Sequence, residues 1–154
     1  MSEKIISILY VDDEMNNLIA FKAVYRTKYK IYTAISGEEG LDILSKNEIH
    51  IVITDQRMPN MTGVEFLEKV IEKYPAPMRI LLTGYTDMSA IVDAVNKGNI
   101  YHYLNKPWND EEMERVIDGA YEIYLKKLEI LEENKELSIT NLQLEFLLRQ
   151  KLLS

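Results

Sequence analysis

A doubly wound α/β domain is the fold this sequence predicts, and three observations predict it. Near-continuous apolar runs at 5–11, 49–54 and 79–83 have the texture of strands buried on both faces, as in a parallel sheet covered by helices. Stretches with a helical period separate these runs. Helix-start signatures, a capping residue followed three positions later by glutamate, stand where the period changes: Ser36 with Glu39, Thr62 with Glu65, and Asn109 with Glu112.

Taken in order, the first strand at 5–11 leads into a helix whose apolar stripe is Leu18, Phe21, Val24 and Tyr25. A weaker strand at 31–35 precedes the helix capped by Ser36. The strand at 49–54 ends at Asp55, and Pro59 forces the chain into a loop before the helix capped by Thr62. The strand at 79–83 is followed by a helix with Ile91, Ala94 and Val95 on one side. A second weaker strand, 100–104, leads through Lys106-Pro107 to the helix capped by Asn109. Repeated strand–helix units of this kind place one domain over 3–119. Residues 120–154 contain neither proline nor glycine and are rich in leucine, so the last helix is expected to run on into a helical extension, a coiled coil or linker helix.

Composition excludes several function classes. The chain has 154 residues, a formal net charge of −7 and no cysteine. An acidic surface disfavours a broad footprint for nucleic acid or anionic membrane, so protein surfaces and cations are the expected partners. Disulfides, thiolate metal sites and thiol catalysis are absent, and two isolated histidines, His50 and His102, cannot build a zinc site. The first apolar run is too short for a signal peptide or membrane span, and a reducing, cytoplasmic setting is expected.

The chemistry lies at the strand ends. In an open parallel sheet the carboxyl ends of neighbouring strands share one crevice, which brings together Asp12 and Asp13, Asp55, Thr83 and Lys106. Adjacent carboxylates supply the oxygen ligands that magnesium requires, although acidic residues equally favour the first turn of a helix. Asp55 is a carboxylate that can attack phosphorus to give an acyl phosphate, or else a turn aspartate. Thr83 beside Gly84 offers a hydroxyl at an open backbone, and alone reads as an ordinary strand residue. Lys106 can act as a point charge on a phosphoryl oxygen, and alone reads as a surface lysine. Together, in this order, they form a phosphorylatable aspartate site.

The segments Ile8-Leu9-Tyr10-Val11-Asp12-Asp13-Glu14, Asp55 with Met58-Pro59 and Thr62-Gly63, Leu82-Thr83-Gly84, and Tyr103-Leu104-Asn105-Lys106-Pro107 resemble the receiver domain of bacterial two-component response regulators. The resemblance implies a five-stranded flavodoxin-like sheet of order 2-1-3-4-5. It implies that Asp55 is the phosphoacceptor and that Asp12, Asp13, Asp55 and the backbone carbonyl of Arg57 hold Mg2+. It also implies that Thr83 and Lys106 contact the phosphoryl group, and that Tyr103 is a switch reporting to a face formed by the fourth helix, fifth strand and fifth helix. A histidine kinase or phosphotransfer protein would be the donor. Bulky Arg57 and Tyr85 near the acceptor suggest slow autodephosphorylation. The longer string through Trp108 is similar in style to receivers that precede HD-GYP cyclic-di-GMP phosphodiesterases. His50 and His102 lack the paired aspartates of that enzyme, and Trp108 is expected to pack at the start of the fifth helix.

In the extension, Ile117, Tyr121, Tyr124, Leu128 and Leu131 form a heptad seam. A second stripe, Leu137, Leu144, Leu148 and Leu152, is out of frame, so either the coil skips or a new helix starts near Thr140. Glu122 with Lys126 and Glu145 with Arg149 are spaced as helical ion pairs. The leucines need a partner: a second copy packed in parallel, the receiver itself, or another protein. A phosphorylation-controlled signalling receiver is the favoured function, with a phosphorylation-independent interaction module on the same fold as the alternative. A phosphatase or nucleotide-binding enzyme is disfavoured by the lack of a glycine-rich phosphate loop.

Overall fold

The five strands pair in parallel, as the alternating pattern predicts, in the order 2-1-3-4-5 that the family resemblance implies. The structure, a computed structural model, describes residues 5–84, 88–133 and 141–153. Its elements are β1 (Ser7–Val11), α1 (Met15–Tyr25), β2 (Lys30–Ala34), α2 (Gly37–Lys46), β3 (Ile51–Asp55), α3 (Gly63–Lys73), β4 (Met78–Thr83), α4 (Met88–Asn96), β5 (His102–Asn105), α5 (Asp110–Glu133) and α6 (Asn141–Leu153). Strand bounds differ from the apolar runs by a residue or two. Ile5 and Ile6 precede β1, and His50, expected within a strand, lies just before β3, where its Nδ1 accepts from the Ser7 amide.

Because side chains alternate across a strand, the sheet builds two cores. Ile8, Tyr10, Ile53, Ile80, Leu82 and Leu104 face α1 and α5, while Leu9, Val11, Val52 and Leu81 face α2, α3 and α4. The α1 stripe is realised by Leu18, Phe21 and Tyr25; Val24 is exposed. Tyr10 stacks on Phe21 with ring centroids 4.1 Å apart. Trp108 packs against this core and donates from Nε1 to the Tyr25 hydroxyl at 3.0 Å.

The capping signatures work to different extents. Thr62 and Glu65 make a complete reciprocal box at the start of α3. Ser36 accepts from the Glu39 amide, but the Glu39 carboxylate reaches the Ile35 amide. Asn109 accepts from the Glu112 amide at 2.7 Å.

Helix α5 runs through Gly119 without a break. The first part of the heptad seam is used inside the domain. Ile117 and Tyr124 are buried, and Tyr121 packs against His50 with centroids 5.2 Å apart. Leu125 and Leu128 are left exposed. Thr140, the expected start of a second helix, lies outside the described residues, as do Leu137 and Tyr85; α6 begins at Asn141. It packs back on the chain's own domain. Glu145, spaced for Arg149, instead turns inward to the buried Arg79 of β4 and Lys127 of α5. A carboxylate between two buried cations offsets charge that would otherwise stand unpaired, whereas a surface pair of this spacing contributes only about 0.2–0.5 kcal/mol. Arg149 donates to the Tyr101 carbonyl at 2.7 Å.

Candidate functional site at the carboxyl ends of the strands

Strand register brings the predicted residues to one rim. Val11 pairs with Thr54, Asp55 with Leu82, and Thr83 with Asn105, so the residues that end or follow these strands are neighbours. Asp12, Asp13 and Asp55 each place a carboxylate oxygen within 4.8 Å of the others. Lys106 Nζ contacts Asp55 Oδ1. A cleft of about 140 Å³ opens beside them, bordered by Asp55, Gln56, Arg57, Gly84 and Lys106.

Asp12 is fully buried and strongly held. Its carboxylate accepts from the Tyr10 hydroxyl at 2.8 Å, the Glu14 amide at 3.0 Å and the Asn17 side-chain amide at 3.1 Å. Three bonds leave part of its acceptor capacity free. Tyr10 remains a donor because burial, reinforced by Asp12, pushes its hydroxyl pKa up. Neither Tyr10 nor Asn17 was singled out by sequence. The period of two along β1 puts Tyr10 and Asp12 on one face, and that was the available signal.

Asp55 closes β3 and is buried. Burial pushes its carboxyl above the ordinary range, and Lys106 pulls it back without cancelling the effect; Asp12 and Asp13 add to the rise. Two neighbouring carboxylates and loss of water outweigh one lysine that is still partly solvated.

The loop after β3 is tied to α3. Gly63 donates to the Gln56 carbonyl at 3.0 Å and Val64 to the Gln56 side chain at 2.9 Å. A Cβ at Gly63 would lie 2.4 Å from the Asp55 carbonyl oxygen, so only glycine allows this approach. Met58 is buried and anchors the loop, and the Arg57 side chain is exposed at the cleft.

Thr83 is buried and its hydroxyl has no hydrogen-bond partner; the same holds for Oδ1 of Asn105, its register neighbour. A buried unpartnered hydroxyl is uncommon and marks a group that can serve a ligand. Tyr103 sits on β5 with its ring outward, 37% exposed.

Three carboxylate oxygens this close repel unless a cation or protons stand between them, and oxygen-only ligation suits a hard divalent ion. A nucleophilic carboxylate and a lysine border the cleft, and the unpartnered Thr83 hydroxyl lies one residue before Gly84 at its edge. The arrangement can hold a phosphoryl group on Asp55.

Comparison with known proteins agrees with this geometry. Residues 8–118 match the family model described as the response regulator receiver domain. The hydrogenase transcriptional regulatory protein HoxA of Cupriavidus necator is 36% identical over 122 residues, covering 79% of this chain and 25% of that protein. The chain thus spans about a quarter of the length of the curated relatives it matches. A crystal structure of an adenylate cyclase from Rhodopirellula baltica superposes with a TM-score of 0.82 at 28% identity, covering 87% of this chain and 100% of that one. The signal receiver domain of an HD domain-containing protein from Pseudomonas fluorescens Pf-5 gives 0.75 at 32% identity, covering 80% and 99%. By sequence, topology and the arrangement of its strand ends, the chain belongs to the response regulator receiver domain family.

Proposed function

We propose that residues 3–119 act as a receiver that takes a phosphoryl group on Asp55 from a histidine kinase or phosphotransfer protein, with 120–154 as its helical extension. The observation that carries this reading is the convergence of Asp12, Asp13, Asp55 and Lys106 at one rim of the sheet, where Thr83 at the end of β4 holds a buried hydroxyl without a hydrogen-bond partner.

In the transfer, one Asp55 carboxylate oxygen forms the new P–O bond while the P–N bond to the donor imidazole breaks, its electron pair leaving on nitrogen. Lys106 offers its ammonium to a phosphoryl oxygen, and Thr83 donates its free hydroxyl to another. Asp12, held by Tyr10 and Asn17, and the more exposed Asp13 would hold Mg2+ with Asp55 and the Arg57 carbonyl. When bound, the ion neutralises charge that develops on the phosphoryl oxygens. The chain needs no separate base, because the nucleophile is already an anion once Asp55 is ionised. Activity is confined to this self-phosphorylation and a slow loss of the group, in a cytoplasmic setting. The relatives are transcriptional regulators, so a separate output region is the natural recipient of the signal; Tyr103, outward on β5, is suited to report to it. Leu128 of the seam, with Leu125 exposed nearby, is still open to self-association.

Incubation with magnesium and acetyl phosphate should add the mass of one phosphoryl group to the intact chain, and Asp55→Asn should add none. An equal adduct on the variant would reject Asp55, and no adduct on either would favour a phosphorylation-independent interaction module.

A further inference from the structure

Helix α6 lies across the amino ends of β4 and β5, opposite the candidate site, and its attachment is unusual in kind. Between Leu142 and Lys151, only Leu144 and Glu145 are buried, while Phe146 and Leu147 are exposed. Leu144, with Leu148 half-buried against the core and Leu142 beside Gly98, is a modest apolar anchor for a helix. The specific contacts are polar. Glu145 stands between two cations, contacting Arg79 through Oε1 and Lys127 through Oε2, the latter at 2.6 Å. Arg149 adds a hydrogen bond to the Tyr101 carbonyl and lies 5.9 Å from that ring's centroid.

Buried ion pairs bind conditionally. Much of their attraction offsets the desolvation of the charges, so they give specificity of position more than strength of attachment. The cations are also provided for without α6. Arg79 donates to the Asn99 carbonyl at 3.1 Å and to Pro77, and Lys127 donates to the Ala76 carbonyl at 3.1 Å. The groove can therefore open without orphaning either cation completely, which is what a removable helix requires.

The gripped elements lead to the site. Arg79 and Thr83 lie on one face of β4, four residues apart, so the strand that carries the unpartnered hydroxyl at one end carries the Glu145 contact at the other. Tyr101, held by Arg149, leads directly into β5, whose far end is followed by Lys106. A pull on Thr83 and Lys106 by a phosphoryl group acts on both strands that α6 straddles.

We propose that α6 is a latched strap, closed by Glu145 between Arg79 and Lys127, and that phosphorylation of Asp55 shifts the latch toward its open state. This rests on the receiver reading given above. In the closed form Lys106 is engaged with Asp55 and Thr83 is unpartnered; a phosphoryl group draws both to itself, and the strand ends that fit α6 lose their register with it. By linkage, release of α6 must favour the phosphorylated form to the same degree. Opening would widen the cavity that Val95, Ile100 and Tyr101 line beside α6 and would free Arg79 and Lys127 for the carboxylate of another amphipathic helix.

Hydrogen exchange on the full chain tests this, with magnesium and beryllium fluoride as the phosphoryl mimic. Wild-type amides at 141–153 should exchange about tenfold faster when the mimic is bound, a size ordinary for coupled sites. Glu145→Gln should make those amides fast in both states while β1 and β3 stay protected. Arg149→Ala, which leaves the buried charges intact, should give an intermediate rate and serves if the first variant does not fold. Protection appearing around Asp55 with no change in α6 would overturn the coupling alone. No protection around Asp55 would overturn the receiver reading and the coupling with it. Wild-type protection of α6 in both variants would overturn the latch.

Discussion

Asp55 is the residue on which charge and burial compete most directly. Burial raises its pKa and Lys106 lowers it, so removing the lysine should raise it further. Lys106→Ala is expected to move the Asp55 titration midpoint upward in metal-free protein, read from its carboxyl carbon by NMR; an unchanged or lower midpoint would mean that Lys106 does not act on Asp55. The sign for stability follows. A carboxyl whose folded pKa lies above its unfolded one keeps its proton longer in the folded chain. Its contribution is full below the unfolded value and is lost as pH rises through the folded one. The carboxylates and the lysine were legible in sequence because each ends an apolar run. Tyr10 and Asn17 were not, because their value lies in reaching Asp12 across a turn, which residue type alone does not announce. Net elevation of Asp55 was hidden for a similar reason: desolvation depends on packing around it.

At the scale of elements, local signals held where local chemistry decides. The Thr62 box was readable and is fully formed, so Thr62→Ala should destabilise the fold by about 1 kcal/mol, measured by urea denaturation. The same substitution at Ser36 should cost less if the glutamate contact to Ile35 carries that helix start. The heptad seam shows the opposite case. Its period was correct, but Ile117 and Tyr124 had a use within the domain that periodicity cannot distinguish from a use between chains. Glu145 was assigned to its own helix because the buried cations it meets are 66 and 18 residues away. Those two cations differ in consequence from their carboxylate. Arg79→Ala removes ties to Pro77 and Asn99 as well as to Glu145, and should cost about 3–5 kcal/mol, as breaking a buried pair does. Glu145→Ala can be relieved by release of α6 and should cost the domain less. Equal losses in denaturant titrations of the two variants would show that α6 is an inseparable part of the fold.

For the whole molecule, one geometric fact organises the rest: parallel register puts the ends of β1, β3, β4 and β5 on one rim, and α6 occupies the opposite end of β4 and β5. Alternating elements made the parallel sheet and its rim predictable, and the strand order followed from the family resemblance. The return of α6 was not, since a helix without proline or glycine before it is as compatible with a straight coil as with a strap. Among the described residues, no helix is long and apolar enough to cross a membrane. The central claim, that Asp55 is the phosphoacceptor, is tested most directly by borohydride reduction of the chain after acetyl phosphate treatment. An acyl phosphate is reduced to an alcohol, which marks the modified residue for peptide mass analysis. The alcohol should appear at residue 55 and at no other carboxylate, and should vanish when magnesium is withheld; an alcohol at residue 12 or 13, or a base-stable phosphate on Thr83, would contradict the account.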